Sequence, residues 1–96
     1  MIVRFRAEAA DDVVSARSWY DEQRAGLGDE FVASLERILD LISRLPDAFP
    51  EIAADQRRAL LPRFPYALYY RVEGDTVDIV ACLHTRRSRD RGLRGR

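Results

Sequence analysis

The 96-residue sequence predicts one α+β domain, with a helical hairpin packed on a small, mainly antiparallel sheet in the order β-α-α-β-β-β. Three observations carry this prediction. Residues 66–73 and 76–84 are rich in Tyr, Val, Leu and Ile and are separated by a turn signal. Two long stretches before them repeat apolar residues at helical spacing, and a short alternating segment opens the chain. Ninety-six residues suffice for one modest core and not for two.

Ile2 to Arg6 alternates as a strand, with Val3 and Phe5 on one side. A helix is expected from about Glu8 to Gln23, with Asp11 and Asp12 in its first turns, where acids suit the helix dipole. Val13, Ala16 and Tyr20 form its apolar stripe, Trp19 flanks it as a packing residue, and Gly26 follows as the stop. A second helix begins near residues 27–29. Phe31, Leu35, Ile38, Ile42 and Leu45 make its stripe, Asp40–Arg44 is a favourable i,i+4 pair, and Pro46 ends it. A link of about three residues makes the helices an antiparallel pair. Residues 47–56 read as a loop from which Phe49 plugs the core.

The last three strands are expected at residues 58–61, 66–73 and 76–84. Gly74-Asp75 suits a two-residue type II′ turn, which sets Val72 opposite Val77, Arg71 opposite Asp78, Tyr70 opposite Ile79 and Leu68 opposite Ala81. Tyr66, Leu68, Tyr70, Val72, Val77, Ile79, Ala81 and Leu83 then share the core face. Ala67, Tyr69, Arg71, Asp78, Val80, Cys82 and His84 share the other, with Arg71–Asp78 as a cross-strand ion pair.

Net charge is zero but unevenly spread. Residues 1–55 carry 6 Arg against 12 acids, and residues 56–96 carry 10 Arg against 4 acids. The basic half points to an acidic or nucleic-acid partner, or else the two halves neutralise each other. All sixteen basic residues are Arg, so no lysine is available as a catalytic base. One cysteine and one histidine exclude an internal disulfide and argue against a zinc site; no metal and no cofactor is expected. No basic-then-apolar leader follows Met1, and no apolar run approaches the ~18 residues of a membrane span, so the expected location is the cytoplasm, without membrane contact.

The segment Arg57-Arg58-Ala59-Leu60-Leu61, then Arg63-Phe64-Pro65-Tyr66, Tyr69-Tyr70-Arg71-Val72-Glu73-Gly74-Asp75 and Leu83-His84 with Arg86-Arg87, resembles the ParE/RelE superfamily of type II toxin–antitoxin toxins. It is most similar to the ParE-like, plasmid stabilization branch. Trp19-Tyr20, Gly26-Leu27-Gly28 with Phe31, and Pro46 with Phe49-Pro50 agree upstream. The resemblance implies a RelE/ParE-like fold, with residues 1–87 as the toxin domain and residues 88–96 as a basic, mobile tail. It implies a growth-arresting toxin neutralised by a cognate antitoxin in a hetero-oligomer. ParE-type members act on DNA gyrase by binding; RelE-type members are ribosome-dependent mRNA endonucleases. A third possibility is an inert, antitoxin-bound corepressor.

RNA cleavage needs a base, an acid and cationic stabilisation of the transition state. RNase relatives place an Arg before the Leu-x-Tyr of the middle hairpin strand, where this chain has Ala67. Their lysines and their aromatic residue near the C-terminus have no match here, which favours a binding inhibitor over an enzyme. His84 is the catalytic candidate if the chain is an RNase. The expected target or antitoxin contacts are Tyr69, Arg71, His84, Arg86, Arg87, Arg57 and Arg58. ParE-like relatives continue after the paired arginines with Asp-Pro and a Trp; this chain has Ser88-Arg89-Asp90-Arg91 instead.

Overall fold

In the computed structural model, which describes residues 1–86, strand β1 (Ile2–Phe5) leads into helix α1 (Ala7–Gln23), and helix α2 (Leu27–Arg44) doubles back along it. Strands β2 (Glu51–Ala53), β3 (Gln56–Leu60), β4 (Tyr66–Glu73) and β5 (Thr76–His84) follow. All five strands form one sheet in the order β1-β5-β4-β3-β2. Every neighbouring pair is antiparallel except β1 and β5, whose parallel pairing needs the long crossover that the intervening elements supply. The predicted fold class holds. Arg87 and the tail 88–96 lie outside the described residues.

Phe31, Leu35, Ile38 and Ile42 of α2, with Ala9, Ala16 and Tyr20 of α1, are buried against Leu68, Tyr70, Val77 and Ile79. Leu45, which the helical period adds to the stripe, caps α2 and is exposed. Tyr20, Phe31, Phe64 and Tyr66 form an aromatic cluster with ring centroids 4.9–6.0 Å apart, mostly edge to face. Phe49 packs edge-on to Tyr70 as expected, and the Tyr70 hydroxyl donates to the Pro46 carbonyl at 2.6 Å. The helices approach closely at Gly28, whose N–H donates to Asp21 Oδ1 at 2.7 Å. A Cβ there would lie 2.6 Å from the Arg17 carbonyl oxygen.

Three sequence-based expectations need correction. The stretch 47–56 is not all loop. Glu51–Ala53 pairs with β3 across the turn Ala54-Asp55, where Asp55 takes φ 60. Asp tolerates that conformation because its carboxylate can bond the local backbone. A three-residue strand exposed along its whole length leaves no apolar period to read.

The hairpin register is as expected from Gly74 (φ 59) to the pair Tyr70–Ile79, and then shifts. Tyr69 faces Ala81 and Leu68 faces Cys82, so Val80 is an extra residue in β5, a β-bulge. The shift exchanges the faces of everything beyond it. Cys82 joins the core beneath the helices, while Ala81 and Leu83 turn to the second face and cluster with Ala67 and Tyr69.

The expected Arg71–Asp78 ion pair does not form, although the two are register partners. Asp78 pairs instead with Arg6 at 2.9 Å and lies 3.8 Å from Arg4. Parallel β1 places Arg4 directly opposite Asp78, and no local pattern in the hairpin reveals that neighbour.

Candidate functional site

Strand β1 ends opposite Ile79, so among the described residues β5 runs beyond it with no strand on that side. Helix α1 crosses there. The Cys82 N–H donates to Asp12 Oδ2 at 3.0 Å, which satisfies a backbone group that a longer β1 would have taken. Burial, and secondarily the Asp12 charge, push the Cys82 thiol up to about 12, so it is no nucleophile at neutral pH.

The crossing leaves a cleft. A cavity of about 280 Å³ is lined by Asp12, Ser15, Trp19, Tyr66 and His84, among others. A second, of about 590 Å³, shares Trp19, Tyr66 and His84 and extends to Pro65 and Arg86. Trp19, expected to pack, is 53% exposed on the cleft wall and touches Tyr20 edge-on at 5.1 Å. It flanks the apolar stripe of α1 instead of lying in it, and that offset was the available signal.

His84 belongs to this cleft, not to the sheet face opposite the helices where simple alternation places it. The bulge moves it, together with Cys82, to the helix side. Its ring stands edge-on to Tyr66 at 5.4 Å, and its Nδ1 accepts the Arg86 backbone N–H at 3.2 Å. Arg86 is exposed at the rim. The Thr85 N–H donates to the Pro65 carbonyl and ties down the strand end.

The remaining candidate residues are not gathered at His84. Arg57 is engaged locally: its Nη1 donates to the Phe49 carbonyl at 2.6 Å, and Nη2 lies 3.6 Å from Asp47 and 3.7 Å from Glu51. Arg58 and Arg71 lie on the opposite sheet face, on either side of Tyr69 along the strand diagonal, and make no ion pair among the described residues. Tyr69 is only 2% exposed, packed with Ala67, Ala81 and Leu83. Asp12, Arg4 and Arg6 were missed as site residues, because their partners Cys82 and Asp78 are about seventy residues away in the chain. Among the described residues no helix is long and apolar enough to cross a membrane, and no group of His, Cys, Asp and Glu is placed to hold a metal.

Residues 3–89 match the family described as ParE toxin of type II toxin-antitoxin system, parDE. No curated protein matches. Among solved structures, the chain is similar to one from the chromosomal ParDE TA system of P. aeruginosa, with a TM-score of 0.66. Identity is 18%, over 88% of this chain and 95% of that one, so this likeness shows the fold. The family match spans nearly the whole sequence, and by it the chain belongs to the ParE toxin family of type II toxin–antitoxin systems.

Proposed function

We propose that this protein inhibits DNA gyrase by binding, without a covalent reaction of its own, and that a cognate antitoxin neutralises it in a cytoplasmic hetero-oligomer. The observation that carries the choice of a binding inhibitor is Ala67. The resemblance puts the RNase arginine at this position, and here it is a methyl group with no exposure, packed among Tyr69, Ala81 and Leu83. A guanidinium in that apolar cluster would be desolvated without a partner. The placement of Arg57 against the 47–51 segment supports the same reading, since its charge is already engaged. His84 and Arg86 in the cleft, Arg58 and Arg71 on the far face, and Arg87, which lies outside the described residues, are the proposed contacts for target or antitoxin. Arg57 is a proposed contact at the 47–51 segment, and Tyr69 supports the far face from within its apolar cluster.

Purified toxin is expected to block gyrase supercoiling, to accumulate cleaved DNA and to leave ribosome-bound mRNA intact. His84→Ala leaves that inhibition largely standing, and charge reversal at Arg86 and Arg87 weakens it. A-site mRNA cleavage that disappears with His84→Ala would establish the ribosome-dependent RNase instead. Neither activity, from a folded protein that still binds its antitoxin on operator DNA, would establish the inert corepressor.

A further inference from the structure

We infer that the sheet face turned away from the helices binds the phosphodiester backbone of nucleic acid. This goes beyond the proposed gyrase target, because it concerns nucleic acid bound by the toxin itself. The charged side chains on this face are Arg4 from β1, Arg6 just after it, Asp78 from β5, Arg71 from β4 and Arg58 from β3, with Glu73 at the hairpin end. Asp78 is taken up by Arg6 at 2.9 Å, with Arg4 at 3.8 Å. Among the described residues Arg58 and Arg71 make no ion pair, and Arg71 Nε and the Asp78 Oδ1 of its register partner are both buried without a hydrogen-bond partner. Four arginines face two acids here, and Arg58 and Arg71 are the guanidinium groups that no described carboxylate pairs, so a bound anion would supply both the missing charge and the acceptor oxygens.

The spacing suits a linear polyanion. Arg58 stands opposite Tyr69 and Arg71 lies two residues further along β4, a diagonal separation of about 7–8 Å. Arg4 and Arg58 are three strand spacings apart across the sheet, about 14 Å. One phosphate ion could not meet all three, whereas successive phosphates of a strand could. The guanidinium fork matches phosphate oxygens bidentately.

The apolar content of the face favours nucleic acid over an acidic peptide. Ala67, Tyr69, Ala81 and Leu83 are already buried, and the exposed apolar groups, Ile2 and Leu60, sit at opposite margins. A peptide that must bury its own anchor side chains finds no apolar pocket between the arginines. A phosphate backbone needs none.

The test is fluorescence anisotropy with a labelled 20-base-pair duplex and, separately, a labelled single-stranded RNA, titrated with the full chain at several salt concentrations. Three arginine contacts give a slope of log affinity on log salt of about −2.7 for duplex DNA, at about −0.9 per phosphate. Arg58→Glu with Arg71→Glu should weaken binding at least tenfold and reduce the slope by about 1.8. Arg37→Glu with Arg44→Glu, the same charge change on α2, should leave the slope unchanged. The two nucleic acids distinguish which source of phosphodiester is preferred, and binding of either supports the inference.

If the reversed variant does not fold, Arg58→Gln with Arg71→Gln replaces it. DNA protection of Arg4, Arg58 and Arg71 from phenylglyoxal, read by mass spectrometry, needs no variant. Equal losses in the face and control variants, absence of protection, or binding of poly-glutamate in preference to both nucleic acids would each overturn the inference. Gyrase inhibition is measured on the same variants. Nucleic-acid binding lost with inhibition retained separates this face from the proposed function, and wild-type nucleic-acid binding without gyrase inhibition refutes that function and leaves the inference intact.

Discussion

Replacing Asp12 by alanine tests how β5 is held where β1 stops. The Asp12 carboxylate accepts the Cys82 N–H at 3.0 Å, in a part-buried site between α1 and the sheet. Removing it strands a backbone donor, which costs about 1–3 kcal/mol when no other acceptor replaces it. Because the site borders a cavity that water can enter, the lower part of that range, about 1–2 kcal/mol, is expected. For a domain of this size each kcal/mol shifts the melting temperature by about 4–8 °C, so Tm should fall by roughly 5–15 °C. Asp12→Asn keeps an acceptor but loses the charge, and should fall between wild type and alanine. Asp11→Ala, the same charge change at an exposed neighbouring position, is the control and should stay within about 0.5 kcal/mol. Urea unfolding gives the stability. Amide exchange of Cys82, followed by NMR, gives the local effect, with an acceleration of about 5- to 30-fold expected for Asp12→Ala. If Asp12→Ala matches Asp11→Ala in both measurements, the contact does not hold the strand and the reasoning fails.

Three more expectations follow from the packing and the chemistry. Ile38→Ala should cost about 2–5 kcal/mol in urea unfolding with an unchanged m-value, and an unaltered midpoint would place the α2 stripe outside the core. Gly28→Ala gains up to about 1 kcal/mol of helix propensity but drives a Cβ to 2.6 Å from the Arg17 carbonyl oxygen, so a net loss of about 1–3 kcal/mol should appear in thermal melts. The Cys82 thiol is raised in the folded protein to about 12, so above pH 9 the unfolded chain releases a proton that the folded one keeps. Stability should therefore fall between pH 9 and 10 with a slope of up to about 1.4 kcal/mol per pH unit that Cys82→Ala lacks, and parallel pH profiles for the two proteins would contradict the burial of the thiol.

The parts of the fold legible in the sequence are those whose signals are local. The α2 stripe is legible because Phe31, Leu35, Ile38 and Ile42 recur at helical spacing while Glu36, Arg37 and Asp40 stay outside it. The hairpin is legible near its turn because Gly74 supplies the positive φ and Val72, Arg71 and Asp78 alternate clearly in polarity. Further from the turn the signal fades. Ala67 to Tyr70 and Ile79 to Leu83 are apolar at every position, so sliding one strand by a residue leaves the polarity pattern intact. The phase of β5 is lost there, and with it the location of His84.

By itself the sequence determined the helix pair and the turn, whose signals lie within one or two turns of chain, and the order of these elements and motifs along it carried the class of fold and the resemblance that leads to the ParE family. Tertiary structure alone decided which face the side chains of β5 beyond Ile79 present, because the bulge at Val80 leaves no local mark in a run that is apolar at every position. It also decided the partners of Asp78 and Cys82. Arg4, Arg6 and Asp12 reach them only once parallel β1 and helix α1 have come back across some seventy residues, and no spacing in the chain encodes that return.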